Sequence, residues 1–419
     1  YYVPNNMAVV LVGDIDFDRT IKKVNDAFGN YEKKEVTHPT FKKEQPITSP
    51  VEKEVFGPTS ESGYVAFRTG GIGSKDEKIV TLIDYILANS QAGLIDLDLN
   101  QQQKVQNASS FTNFDNDYGF HLLYGMPKAN QTLEEVQALL LEEVEKIKKG
   151  EFDDWLIEAV INDLKLSEIR EYENASSTAY AYMDAFIHFQ DWQSRLDFIE
   201  GLKSVTKEEL VNYANEHYND NYVAVYKRKG EDANIAKVEN PGITPVKLNR
   251  DKQSVFIQNF NKEESPALEP QYIDYKKAIG NSETKNGLPV AYIENENNDL
   301  FNLYFIFDMG QDNDKEISLA AGYLDYLGTN KLSPEQVKQE FYKLGINYFV
   351  NSGTDKTYVG LSGLKENLPA GLSLLEDLWQ NAEANQETYD KYVEQILKGR
   401  EDNKTQKGNI LFNGLMNYG

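Results

Sequence analysis

The stretch "YVAFRTG", Tyr64–Gly70, decides the reading of this chain, because "YFIFDMG", Tyr304–Gly310, repeats it 240 positions later. Tyr64, Phe67 and Gly70 pair with Tyr304, Phe307 and Gly310. Each copy reads as a strand, and each leads into a helix ending in "IDYIL" or "YLDYL". A second match pairs "YVPNNMAVV" (2–10) with "YNDNYVAVY" (218–226), aligning Tyr2 with Tyr218, Asn5 with Asn221 and Ala8 with Ala224. Two matches in consistent order predict one α+β unit used repeatedly. The expected fold class is therefore α+β: repeated two-layer domains, each a mainly antiparallel sheet covered by helices.

Length agrees with repetition. The chain has 419 residues, and about 100–200 residues per domain implies two to four units. Four prolines, Pro241, Pro245, Pro266 and Pro270, fall close together among polar residues and mark an extended linker. The expected division is the end of a first domain over 1–49, a second domain over 50–229, a linker over 230–268, and the beginning of a third domain over 269–419.

Local signals fill in the elements. Met7–Gly13 reads as a buried strand, and Asp16 opens a helix that stops at Gly29. Val51–Phe56 and Tyr64–Thr69 read as a strand pair. Ser74 and Glu77 form a capping-box pattern before a helix with Ile79, Ile83, Ile86 and Leu87 on its apolar face. Residues 111–126 read as two strands. Thr132/Glu135 and Thr206/Glu209 are further capping boxes, with roughly four helices between Leu133 and Leu202. Tyr222–Lys227 closes the unit as a strand.

Composition excludes several functions. There are no cysteines, so disulfides, thiolate metal sites and Cys nucleophiles are absent. A net charge of −24 repels phosphate backbones and disfavours nucleic-acid partners. It suits solubility, and it could steer cationic peptides. No apolar run is long enough to span a membrane. The compartment stays open, with periplasm or cell envelope as the working expectation. "GGIG" (70–73) is no phosphate loop, since no Lys-Ser/Thr follows it. No G-x-S-x-G elbow occurs. Carboxylate pairs such as Asp153/Asp154 and Glu142/Glu143 arise freely among 67 acidic residues, so a carbohydrate hydrolase has little support.

Three segments carry a family resemblance: "YYVPNNMAVVLVGDID" (1–16), "LIDYILANSQAGLIDLDL" (82–99) and "YLDYLGTNKLSPEQVKQEFYKLG" (323–345), with "GTDKTYVGLSGL" (353–364) beside them. In this order they resemble the insulinase/pitrilysin family of zinc metallopeptidases. The resemblance implies four homologous α+β domains in two halves that close over a peptide. It also implies an H-x-x-E-H helix whose two His bind zinc, whose Glu activates the bound water, and a further Glu ligand downstream.

This chain contains no H-x-x-E-H. In the first half that motif would precede the "YYVPNNM" strand, which places the zinc ligands upstream of Tyr1. In the third-domain copy, counting back from Gly328-Thr329 puts the motif on Leu319, Gly322 and Tyr323, or in a shorter register on Tyr323, Asp325 and Tyr326. Neither register gives a zinc site, and Glu401 is the residue nearest the position of the downstream Glu. His38, His121, His188 and His217 lack metal spacing. The expectation is no catalytic and no metal residue in this chain, with zinc belonging to the parent protein.

The resemblance further implies a substrate-anchoring turn at "NSQAGL". It assigns substrate binding to Asn89, Ser90, Gln91, Ala92 and Gly93, beside a strand near Gln106–Phe111 whose edge can add a peptide strand. An ordinary turn between helices reads equally well. Two functions follow. One is the non-catalytic portion of a zinc-dependent endopeptidase that degrades peptides in an enclosed chamber. The other is a catalytically inactive homologue serving as scaffold or binding subunit. The implied partners are peptide substrates and either an N-terminal catalytic segment or an active homologous subunit.

Overall fold

The computed structural model describes residues 1–37, 40–232, 239–240, 242–246, 248–250, 252–264, 267 and 269–416. His38, and the linker markers Pro241, Pro266 and Leu268, lie outside the described residues. The chain divides into two units, Tyr1–Asp232 with Leu300–Gly419, and Ala233–Asp299.

In the larger unit, helix α1 (Phe17–Phe28) begins at Asp16, whose side chain accepts from the Arg19 N–H at 2.7 Å, and ends at Gly29. Strand β1 (Val51–Gly57) and strand β2 (Ser62–Gly70) follow, then α2 (Lys75–Leu87). Strands β3 (Asn107–Phe114) and β4 (Tyr118–Met126) come next. Helices α3 (Leu133–Lys149), α4 (Asp154–Tyr172), α5 (Ala175–Ile187), α6 (Trp192–Leu196), α7 (Phe198–Leu202) and α8 (Lys207–His217) lead to β5 (Tyr222–Lys229).

These strands form one sheet in the order β1-β5-β2-β4-β3, with β1 parallel to β5 and the other pairs antiparallel. Helices α2, α3, α4 and α8 supply the apolar layer, where Ile83, Ile86, Leu87, Leu140, Val160 and Leu210 are buried against Val65, Phe67 and Leu123 of the sheet. Strands β2 and β4 alternate buried and half-buried positions, as a covered antiparallel face requires.

The capping boxes at Thr132/Glu135 and Thr206/Glu209 are both complete. Three expectations change. The Ser74 box does not close, because Glu77 accepts instead from the Gly73 N–H at 2.6 Å and Asp76 from the Gly70 N–H at 2.8 Å. Val51–Phe56 does not pair with Tyr64–Thr69, because β5 returns from 165 residues away in sequence to lie between them. Met7–Gly13 forms no strand and is not buried: no described strand offers it an edge, and Val9 and Leu11 are exposed.

The rest of this unit begins with a strand, Leu300–Phe307. It forms an antiparallel three-stranded sheet with the strands Ile346–Ser352 and Thr357–Leu364, which lies centrally. Its helices are Ile317–Leu324, Pro334–Lys343, Leu368–Asn381 and Gln386–Asn403. Val337, Phe341, Ile346, Leu361, Leu375 and Leu378 make its core. Tyr342 leaves that core to join the first one, where its hydroxyl donates to Asp163 at 3.4 Å. The fold is α+β, as the repeats imply.

The smaller unit contains two short helices, Val255–Phe260 and Tyr275–Ala278, and a hairpin of Gly280–Glu283 with Pro289–Tyr292.

Candidate peptide-anchoring site

Helix α2 ends where Ala88 turns extended. Asn89 then closes the helix and starts the next turn with one side chain. Its Nδ2 donates to the Tyr85 carbonyl at 2.9 Å, and its Oδ1 accepts from the Gln91 and Ala92 N–H groups at 3.0 and 2.8 Å. Ser90 takes the left-handed conformation, φ 68°. The Asn89 N–H donates to Asp96 Oδ2 at 2.7 Å. Burial pushes the Asp96 carboxyl up from its ordinary value, against the pull of the Asn89 N–H and of Lys338.

Gly93 is buried, and a Cβ there would meet the Leu87 carbonyl at 2.6 Å and Asp96 Oδ2 at 2.8 Å. Ala92 is buried as well. Of the five turn residues, Ser90 and Gln91 line a cavity of about 120 Å³, which they share with Asp325, Lys338 and Tyr348. Gln91 Nε2 donates to Asn347 Oδ1. The turn therefore holds its own backbone and faces the segment 324–348.

Strand β3 is one of the two outer strands of the five-stranded sheet, opposite β1. Ala108 turns its N–H and C=O away from β4, and both are taken by the Asn100 side chain at 2.8 Å. Backbone alternation places the N–H and C=O groups of Ser110 and Thr112 on that same outer edge. Beneath the edge is a buried polar chain. Ser110 Oγ donates to Asp84 Oδ1 at 2.6 Å, Asp84 Oδ1 lies 3.3 Å from His121 Nε2, and His121 Nδ1 lies 2.8 Å from the Tyr218 hydroxyl. Burial holds the Tyr218 hydroxyl far above its ordinary value, so it stays protonated.

The sequence reading missed "QQQKVQ", 101–106. Gln101 Nε2 donates to the Asp325 carbonyl at 3.1 Å and Gln102 Nε2 to Glu335 Oε1 at 2.8 Å. Gln106 Nε2 donates to the Gln395 carbonyl at 3.0 Å, and Gln395 Nε2 donates to the Val105 carbonyl at 3.2 Å. The glutamine run was the available signal. It knits the segment between α2 and β3 to the helices around Asp325 and Gln395.

Leu319, Gly322 and Tyr323, where the resemblance places the motif, do not fit zinc. Leu319 and Gly322 offer no side-chain donor atom. The Tyr323 hydroxyl donates to the Asn385 carbonyl at 2.7 Å and accepts from the Asn385 N–H at 3.0 Å. Glu401 is exposed and pairs with Lys404 at 2.5 Å, which holds its carboxyl below the ordinary value. Among the described residues no group of three His, Asp or Glu side chains converges as a metal site. His121 is buried in the core, while His188 Nδ1 lies 2.8 Å from Asn116 Oδ1. No described helix is long and apolar enough to cross a membrane.

Residues 1–164 match the family model described as "Peptidase M16 inactive domain". No curated protein sequence matches the chain. Among solved structures, pitrilysin is similar with a TM-score of 0.50 and 15% identity, over 94% of this chain and 44% of that one. The periplasmic protease PqqL from Escherichia coli matches with a TM-score of 0.42 and 11% identity, over 90% of this chain and 45% of that one. A protease from Helicobacter pylori matches with a TM-score of 0.48 and 19% identity, over 52% of this chain and 54% of that one. The chain thus spans about half the length of the structures it matches. Residues 1–164 thus resemble the inactive domain of M16 peptidases, and the fold of the chain is like that of pitrilysin.

Proposed function

We propose that this chain is the peptide-holding, non-catalytic portion of a zinc-dependent metalloendopeptidase that degrades peptides in an enclosed chamber. The observation that carries this reading is the outer edge of β3, where Ser110 and Thr112 turn their backbone groups away from β4 on the same side as Ala108. Such an edge adds a peptide strand through main-chain hydrogen bonds and is tolerant of sequence. The Asp84–Ser110 bond supports it by fixing the strand from below. Residues 1–49, 50–229 and 269–419 would then be parts of three successive domains, joined by a linker at 230–268. Zinc and its ligands would belong to a catalytic segment encoded upstream of Tyr1. If the upstream gene lacks H-x-x-E-H, the scaffold reading replaces the peptidase one.

The edge itself is tested with Thr112→Pro. Proline removes one outward N–H, and an outer strand accommodates it. Affinity for a fluorescein-labelled extended peptide, read by anisotropy, should fall several-fold while the thermal transition is kept. Unchanged affinity in a folded variant removes β3 as the anchor.

A further inference from the structure

A second cavity, of about 530 Å³, opens between α2, α4, α6 and α7, away from the turn and from β3. Its size suits a small ligand, and its lining has the mixture such sites use. Leu164, Phe198 and Ile199 supply an apolar wall. Opposite charges stand around it. Lys78 and Arg195 contribute cations, and Glu77, Glu168 and Glu171 contribute carboxylates.

These charges are incompletely matched. Arg195 reaches Glu171 only at 3.9 Å. Glu77 spends one oxygen on the Gly73 N–H. Among the described residues, Lys78 and Glu168 make no ion pair, although both are half-buried. Burial, and then the neighbouring Glu171, raise the Glu168 carboxyl above its ordinary value. Half-buried charges of this kind are costly unless a ligand completes them. A simple anion would meet three glutamates, and a simple cation would meet Lys78 and Arg195. A ligand with both charges on one small frame satisfies both sides.

We propose that this cavity binds an α-amino acid zwitterion with an apolar side chain, its carboxylate toward Lys78 and Arg195 and its ammonium toward Glu77 and Glu168. The side chain would lie against Leu164, Phe198 and Ile199. The site shares no residue with the β3 edge, so its fate does not depend on the peptide-anchoring reading.

The test is isothermal titration of the 419-residue chain with L-leucine, N-acetyl-L-leucine and L-leucinamide. The second compound lacks the ammonium and the third lacks the carboxylate. Leucine should bind, and each analogue should bind about tenfold or more weakly, the loss expected for one charge-assisted hydrogen bond. Glu168→Gln should weaken leucine and narrow its advantage over N-acetyl-leucine. Lys78→Met should weaken leucine and narrow its advantage over leucinamide. Thermal melts confirm that both variants fold, and the three-ligand comparison on the unaltered chain stands without them. No heat from leucine at millimolar concentration, or equal binding of the three compounds, overturns the proposal.

Discussion

Ser110 Oγ donates a 2.6 Å hydrogen bond to Asp84 Oδ1, joining an outer strand of the five-stranded sheet to the helix that covers it. Both residues are buried, and His121 stands on the other side of the same carboxylate. Removing one partner leaves the others unsatisfied, which costs more than the bond is worth. Ser110→Ala should lower unfolding stability by about 1 kcal/mol, and Asp84→Ala by about 2–3 kcal/mol, since it leaves the buried Ser110 hydroxyl unpaired and removes the carboxylate that faces His121. Urea titrations followed by circular dichroism check this. Equal losses would mean that His121 does not depend on Asp84.

Gly93 and Gly399 make an opposed pair. A Cβ at Gly93 collides with the Leu87 carbonyl and with Asp96, both fixed by the turn, whereas a Cβ at Gly399 finds only Gln106 Nε2, at 3.9 Å. Gly93→Ala should therefore destabilise by about 1–3 kcal/mol through overpacking. Gly399 lies inside the helix Gln386–Asn403, where alanine is the better helix former, so Gly399→Ala should stabilise by about 0.5–1 kcal/mol. Thermal melts of the two variants should move in opposite directions.

The features legible in the sequence are those with short-range causes. Asp16, Thr132 and Thr206 mark helix starts because the groups they satisfy lie within three residues. The repeat of Tyr64–Gly70 marks Leu300–Phe307 because both place an alternating apolar face on a sheet. Long-range partners leave no local trace. Nothing near Val51 announces that Val223 will be its neighbour. Gln101 bonds a carbonyl 224 residues away, and the glutamines around it look merely polar in sequence. Met7–Gly13 has the pattern of a strand, but a strand also needs an edge to join. The turn at Asn89–Gly93 was located from the family resemblance, yet the inward use of Ala92 and Gly93 depends on Asp96 folding back beneath them.

Asp96 sets a pH dependence that opposes the usual one. Its folded pKa is raised above the ordinary 3.8, chiefly by burial. A carboxyl with a raised folded pKa binds its proton more tightly in the native state than in the unfolded state. Its contribution to stability therefore improves as pH falls through the folded pKa toward the unfolded one, and levels off below the unfolded one. Asp96→Asn cannot titrate. The stability difference between the original chain and this variant should shift in favour of the original chain as pH is lowered from 7 through the folded pKa toward the unfolded one, measured by urea unfolding at each pH. A difference that moves the other way would place the folded pKa below the unfolded one.

The segment Leu319–Asn330 should stay metal-free even with an H-x-x-E-H motif written into it. Elemental analysis of the purified chain should find no stoichiometric zinc, and a chelator should leave its thermal transition unmoved. The triple substitution Leu319→His, Gly322→Glu, Tyr323→His writes H-x-x-E-H into the helix Ile317–Leu324. It should still fail, for two steric and polar reasons. A Cβ at Gly322 collides with the Tyr392 hydroxyl. Loss of the Tyr323 hydroxyl also frees the Asn385 N–H and C=O that it bridges. The expected result is a destabilised chain, by about 1–3 kcal/mol from overpacking at Gly322, and no zinc in equilibrium dialysis. Stoichiometric zinc in the triple variant would show that only the three side chains separate this copy from a working site. Retained stability without zinc would show that the neighbouring helix yields, and that the missing element is the downstream ligand, since Glu401 is committed to Lys404.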